Sequence, residues 1–182
     1  MYRPQFNAEK FRGLLLYVAD QARKNNDRYF GAVKLNKVLY YCDFIMFKRY
    51  GEPITGATYQ KLREGPAPKQ LLAQRRRLIR EGLAELKPTQ VFNYVQRRLI
   101  PTAIIVDPEQ WFDGREVAVI NEVMNEFTDL TAADVSEMSH NEVGWINAKD
   151  GGEIPYETAL LDPIYGDGSS ELQMNPDDES RI

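Results

Sequence analysis

The chain has 182 residues, enough for one domain with a real core, and 43% hydrophobic with 27% charged residues excludes wholesale disorder. No uninterrupted apolar run approaches membrane-spanning length, and the start MYRPQFNAEKF lacks a leader's apolar centre, so the expectation is a cytoplasmic protein that neither spans nor binds a membrane. Net charge is −4, yet residues 1–100 hold 20 Lys and Arg against 8 Asp and Glu, while residues 101–182 hold 3 against 19. Such polarity points either to a basic face for an acidic partner or to two halves that neutralise each other within one fold. The single Cys42 excludes an internal disulfide, and with only His140 beside it a structural zinc tetrahedron is excluded too.

In chain order, Asn7 is placed to cap a first helix running to about Lys24, with Phe11, Leu14, Leu15, Val18, Ala19 and Ala22 inward. A second helix follows over 32–50. Leu35, Val38, Leu39, Cys42, Ile45 and Met46 recur at spacings of three and four and form a buried stripe. Lys34, Lys37, Lys48 and Arg49 fall off that stripe, Tyr40, Tyr41 and Tyr50 supply amphipathic rings, and Gly51 is a left-handed C-terminal cap. That reading gives the helix a buried side and an exposed basic-aromatic side.

After the loop GEPITG, the stretch ATYQKLREGPAPKQL reads as a short extended or helical piece that turns at Gly65-Pro66. A third helix is expected from about Pro68 to Gly82, with Leu71, Leu72, Leu78 and Ile79 inside and Arg75, Arg76, Arg77 and Arg80 outside. Val91, Val95 and Leu99 mark β structure, with Lys87-Pro88 dividing the strands. Asp107-Pro108 opens a fourth helix to about residue 126. Thr131 with Asp134 starts a short fifth one, and NEVGW is a turn. The fold class is therefore mainly α (α+β), a compact helical domain over 1–165 with a small antiparallel β element mid-chain. The polar, acidic stretch 166–182 is expected to be a disordered tail.

Three elements recur in order: Lys34, Leu35, Lys37, Leu39 and Tyr40; then Tyr50, Gly51 and Pro53 with the turn Gly65-Pro66; then Ser139, His140 and Trp145 followed by Pro155 and Tyr156. In series they resemble the Panacea domain, the SocA-like antitoxin domain of bacterial and phage toxin–antitoxin systems. GPAP stands where that family more often has Gly-Pro-Val, and the Arg75–Arg77 run and the acidic tail lie outside its core pattern. The resemblance implies a mostly helical fold, no catalysis, no cofactor, and a cytoplasmic antitoxin that binds a toxin from the neighbouring gene.

The residues themselves leave several chemistries open. Aromatic and basic side chains dominate protein interfaces when desolvated, so Lys34, Lys37, Tyr40, Tyr41, Arg75, Arg76 and Arg80 are candidate toxin contacts. The helix at 68–82 leading into β structure outlines a winged helix whose Arg75, Arg76, Arg77, Arg80, Arg97 and Arg98 would meet phosphates, making operator DNA the alternative partner. His140 with Cys42 as nucleophile would make a hydrolase, but Cys42 sits on an apolar stripe without a small-residue elbow to expose it. Glu122, Glu126, Asp129 and Asp134 have the spacing of a solvated helical face rather than of a metal site.

Overall fold

The computed structural model describes residues 2–161; the acidic segment 166–182 lies outside them. Helix α1 (Ala8–Lys24) begins where the Asn7 side chain accepts the Lys10 amide at 2.9 Å. Its expected inward residues are all buried. Helix α2 (Ala32–Tyr50) ends at Gly51, whose φ of 81° is the left-handed cap anticipated from sequence.

Helix α2 is the hub. It touches α1, α4, α5, the 3-10 segment Tyr156–Leu161 and both β hairpins, and it is buried from Lys34 to Phe47 except for Asn36. The exposed basic-aromatic side expected on it is therefore corrected: Lys34, Lys37, Tyr40 and Tyr41 all lie in the interior. A helix enclosed on every side has no solvated face on which to place polar groups, so each must find its partner inside.

The stretch after GEPITG forms an antiparallel hairpin, β1 (Tyr59–Leu62) with β2 (Gly65–Pro68), in which Tyr59 pairs with Pro68 and Leu62 with Gly65. The other edge of β1 is met by residues 151–154, through a bridge of Gln60 with Glu153 and the Ile154 amide on the Tyr59 carbonyl. Helix α3 (Leu71–Arg80) is shorter than the sequence suggests, and only Leu71 and Leu78 are buried. Leu72 and Ile79, expected inside, are 54% and 37% exposed. Its end is a Schellman motif, with the Leu83 amide on the Leu78 carbonyl and the Gly82 amide on that of Ile79.

Strands β3 (Ala84–Val91) and β4 (Tyr94–Pro101) form a second, separate ribbon. Pro88 lies within β3, opposite Arg97, and the chain reverses at Phe92-Asn93 instead. A two-stranded ribbon has only edge strands, so the missing proline N–H can face outward without breaking a ladder bond. The expected fourth helix divides: Pro108–Gln110 is one 3-10 turn, and α4 (Gly114–Phe127) starts at a capping box of Asp113 and Glu116. Helix α5 (Ala132–His140) carries the Thr131–Asp134 capping box read from sequence. The presumed turn at NEVGW is a short helix, α6 (Val143–Asn147), and a 3-10 segment Tyr156–Leu161 closes the described chain against α2.

Candidate functional site: a buried polar seam and the basic face beside it

The polar residues of α2 make a continuous internal seam. At its N-terminal end, the Lys34 ammonium pairs with Asp27 at 2.6 Å and donates to the carbonyls of Leu130 (2.8 Å) and Thr128 (3.3 Å), satisfying orphan groups where α4 ends. Burial lowers the Lys34 pKa, and Asp27 opposes that shift. One turn on, Lys37 donates to the Pro66 carbonyl at 3.3 Å and has no carboxylate in contact, so burial brings its pKa down to about 8.

Gly65 explains why a glycine-proline turn faces this lysine. Its φ is +101°, and a Cβ there would collide with Ser139 Oγ and Lys37 Cε. Next along α2, the Tyr40 hydroxyl donates to Glu142 Oε2 at 2.9 Å, tying α2 to the start of α6. Deepest is Asp43, which accepts from the Thr55 amide (2.7 Å), the Thr55 hydroxyl and the Tyr59 hydroxyl (2.9 Å). Tyr156 stands at 3.4 Å from the same carboxylate while donating to the Ala57 carbonyl at 2.7 Å. Burial pushes Asp43 up to about 6 despite these donors, and the nearby carboxylate and burial push both tyrosines up.

The remaining motif residues line the rim. His140 stacks on Trp145 with ring centres 4.2 Å apart, Lys61 covers the same indole at 4.1 Å, and the Trp145 ring N–H donates to the Leu62 carbonyl at 3.2 Å. Leu35 and Leu39 are core, Pro53 is half-buried in the loop after Gly51, and Pro155 is half-buried beside Tyr156. The structure thus brings the three sequence elements together through side chains: Lys37 with Gly65-Pro66 and Ser139, Tyr40 with Glu142, and Tyr156 with Asp43.

Sequence reasoning missed Asp43, Thr55, Tyr59 and Glu142. The signal was present, because Lys34, Lys37, Tyr40 and Asp43 recur at every third position among apolar residues, a polar series that winds around a helix otherwise rich in core side chains.

Cys42 is wholly buried and its thiol is pushed well above its ordinary value, the reverse of what a nucleophile needs. Glu122 is engaged by Arg49 in a bidentate pair at 2.6 and 2.7 Å, and Asp134 by its capping box. Among the described residues no three His, Cys, Asp or Glu converge as metal ligands, and no helix is long and apolar enough to cross a membrane.

Outside the seam the arginines occupy a different surface. Arg76 and Arg80 are exposed on α3, and Arg75 is half-buried toward the ribbon. With Leu72 and Ile79, Arg76 sits at spacings of four and three, so the three share one outward row.

The family model for "Antitoxin SocA-like, Panacea domain" matches residues 35–146. The chain belongs to this family. The matched span runs from Leu35 through Trp145, so it contains the Gly65-Pro66 turn, the ribbon and the His140–Trp145 stack, while Lys34, Pro155 and Tyr156 flank it. Neither the curated proteins nor the solved structures include a match. Within this Panacea domain, the motif residues Lys37, Tyr40, Gly65 and Tyr156 build the interior that holds the surface in shape.

Proposed function

We propose that this Panacea-domain chain is an antitoxin that neutralises a cognate toxin, the product of a neighbouring gene, by direct contact through the outer row of α3. The observation that carries this reading is the pairing of exposed Leu72 and Ile79 with Arg76 between them. Arginine is among the residue types enriched at interface hot spots, and the two aliphatic side chains beside it add apolar area that a partner can cover. Arg80 belongs to the same contact. Lys34, Lys37, Tyr40 and Tyr41 act from inside, joining α2 to the β1–β2 hairpin and to the segments around α4 and α6.

Catalysis plays no part in this reading, since neutralisation needs only that the toxin's working surface be occupied. The cytoplasm, where a toxin acts on its own cell, is the compartment that fits. Growth of cells expressing the neighbouring frame, alone and with this chain, tests the reading. Toxicity relieved by the wild type and restored by Leu72→Ser/Arg76→Glu/Ile79→Ser is the expected pattern. Rescue by that variant at wild-type level would move the contact elsewhere.

A further inference from the structure

The ribbon β3–β4 carries a second charged surface that toxin contact on α3 does not use. Among the described residues Arg28, Arg75, Lys87, Arg97 and Arg98 form no ion pair, although the whole chain is net acidic. They flank the ribbon on two sides. On one, a cleft of about 400 Å³ between the ribbon and the end of α1 is lined by Arg23, Arg28, Lys87 and Arg98, with Thr89. On the other, a cleft of about 400 Å³ between the ribbon and the start of α2 is lined by Arg75, Arg97, Gln96 and Tyr94.

The carboxylates nearby are mostly committed. Asp20 is held by Arg23 and Lys24, and Asp27 by Lys34 and the Tyr29 amide, though Asp27 also favours the charge of Arg98. Glu85 is exposed on β3, and Glu81 is paired with Arg77. The base of the ribbon is fixed to the body, because Gln96 and Arg98 both donate to the Arg28 carbonyl. Its tip is bare: Phe92, Tyr94 and Val95 are 69%, 51% and 60% exposed.

We propose that the β3–β4 ribbon is a duplex nucleic-acid-binding element that enters a groove while the arginines on its two flanks meet the phosphates of the two strands. Strands about 4.8 Å apart with side chains on either face make a ribbon close to the ~12 Å width of the B-DNA major groove. Eight residues per strand make it roughly 26 Å long at about 3.3 Å each, with one face packed on α1, α2 and α3 and the other, with the tip, exposed. Cations on both flanks of this exposed ribbon suit a ligand with anionic walls on both sides. An acidic protein patch would call for cations on one face. The bare aromatic and aliphatic tip would meet base edges and thymine methyl groups.

The test is fluorescence anisotropy of the full chain with a labelled mixed-sequence duplex of roughly 30 base pairs, chosen to exceed the ribbon's ~26 Å length. Neutralising about four phosphates predicts an affinity loss on the order of 100-fold between about 50 and about 200 mM NaCl. Lys87→Glu/Arg97→Glu should weaken binding at low salt by at least about tenfold, since each such contact is worth on the order of one salt-slope unit. Arg28→Glu should do likewise, because this residue supports the fold through its carbonyl rather than its side chain. Arg76→Glu on α3 should leave duplex binding unchanged. Circular dichroism and melting temperature confirm that each variant is folded. No binding at low salt, or binding indifferent to both ribbon variants, overturns the proposal. Tighter binding to polyglutamate than to the duplex also overturns it and assigns the ribbon to an acidic protein.

Discussion

Asp43 and Lys37 are ionisable groups buried with their fold-defining contacts, and each makes stability depend on pH in its own window. Asp43 is raised to about 6. Between about pH 4 and 6 the native state keeps a proton that the unfolded chain has released, so stability falls as pH rises and the cost is complete above about 6. Lys37 is lowered to about 8. Between about pH 8 and 10 the unfolded chain keeps a proton that native Lys37 has lost, so stability rises with pH there. Asp43 therefore predicts urea midpoints that fall up to about pH 6. Above about pH 8 the rise due to Lys37 is opposed by Cys42, Tyr59 and Tyr156, whose raised pKa values cost stability as pH rises, so the Lys37 contribution is read as the difference between wild type and variant. Asp43→Asn should flatten the acid limb, and Lys37→Met should remove the alkaline contribution of Lys37. Parallel curves for wild type and Lys37→Met between pH 8 and 9.5 would show that Lys37 is not desolvated as described.

At the level of elements, α2 is core and α3 is mostly surface. The positions of α1, α2, α5 and of the Thr131–Asp134 capping box were legible in sequence, because Asn7, Gly51 and that pair act locally on the backbone beside them, whereas the Asp113–Glu116 box that starts α4 was passed over in favour of Asp107-Pro108. The apolar stripe of α2 and the buried Leu71 and Leu78 of α3 were legible too, but the burial of the polar residues of α2 and the exposure of Leu72 and Ile79 on α3 were not. Lys34, Lys37, Tyr40 and Tyr41 are polar enough to read as surface, and only long-range partners such as Asp27, Pro66 and Glu142 make their burial possible. The reverse holds for Leu72 and Ile79, which read as core because they are aliphatic, yet are 54% and 37% exposed among the described residues. Likewise Pro88 reads as a strand break when the partner strand is unknown, and is tolerated only because β3 is an edge. If α3's outer row is surface, Leu72→Ser/Ile79→Ser should keep the urea midpoint close to wild type, with a change within about 0.5 kcal/mol per site. A loss of several kcal/mol would mean that these residues are packed.

At the scale of the whole molecule, the charge polarity of the sequence is partly neutralised among the described residues. Ion pairs such as Lys10–Glu116 at 2.5 Å, Arg49–Glu122 and Lys69–Glu153 at 2.9 Å join the two halves. Among the described residues the arginines of α3 and of the ribbon stay outside such pairs apart from Arg77, and this cationic surface is where the proposed partners would bind. The three motif elements converge on the seam around α2, and the contact surface proposed above lies on residues outside those motifs. In this architecture the motif residues supply a rigid interior, and the exposed α3 row is where the choice of toxin would reside.

The most direct measurement of that claim is calorimetric titration of the neighbouring gene's product into wild type and Leu72→Ser/Arg76→Glu/Ile79→Ser, with melting temperatures of both. Central hot-spot losses of about 2 kcal/mol or more predict a fall in affinity of at least about 30-fold with an unchanged melting temperature. Wild-type affinity in the triple variant would contradict the account.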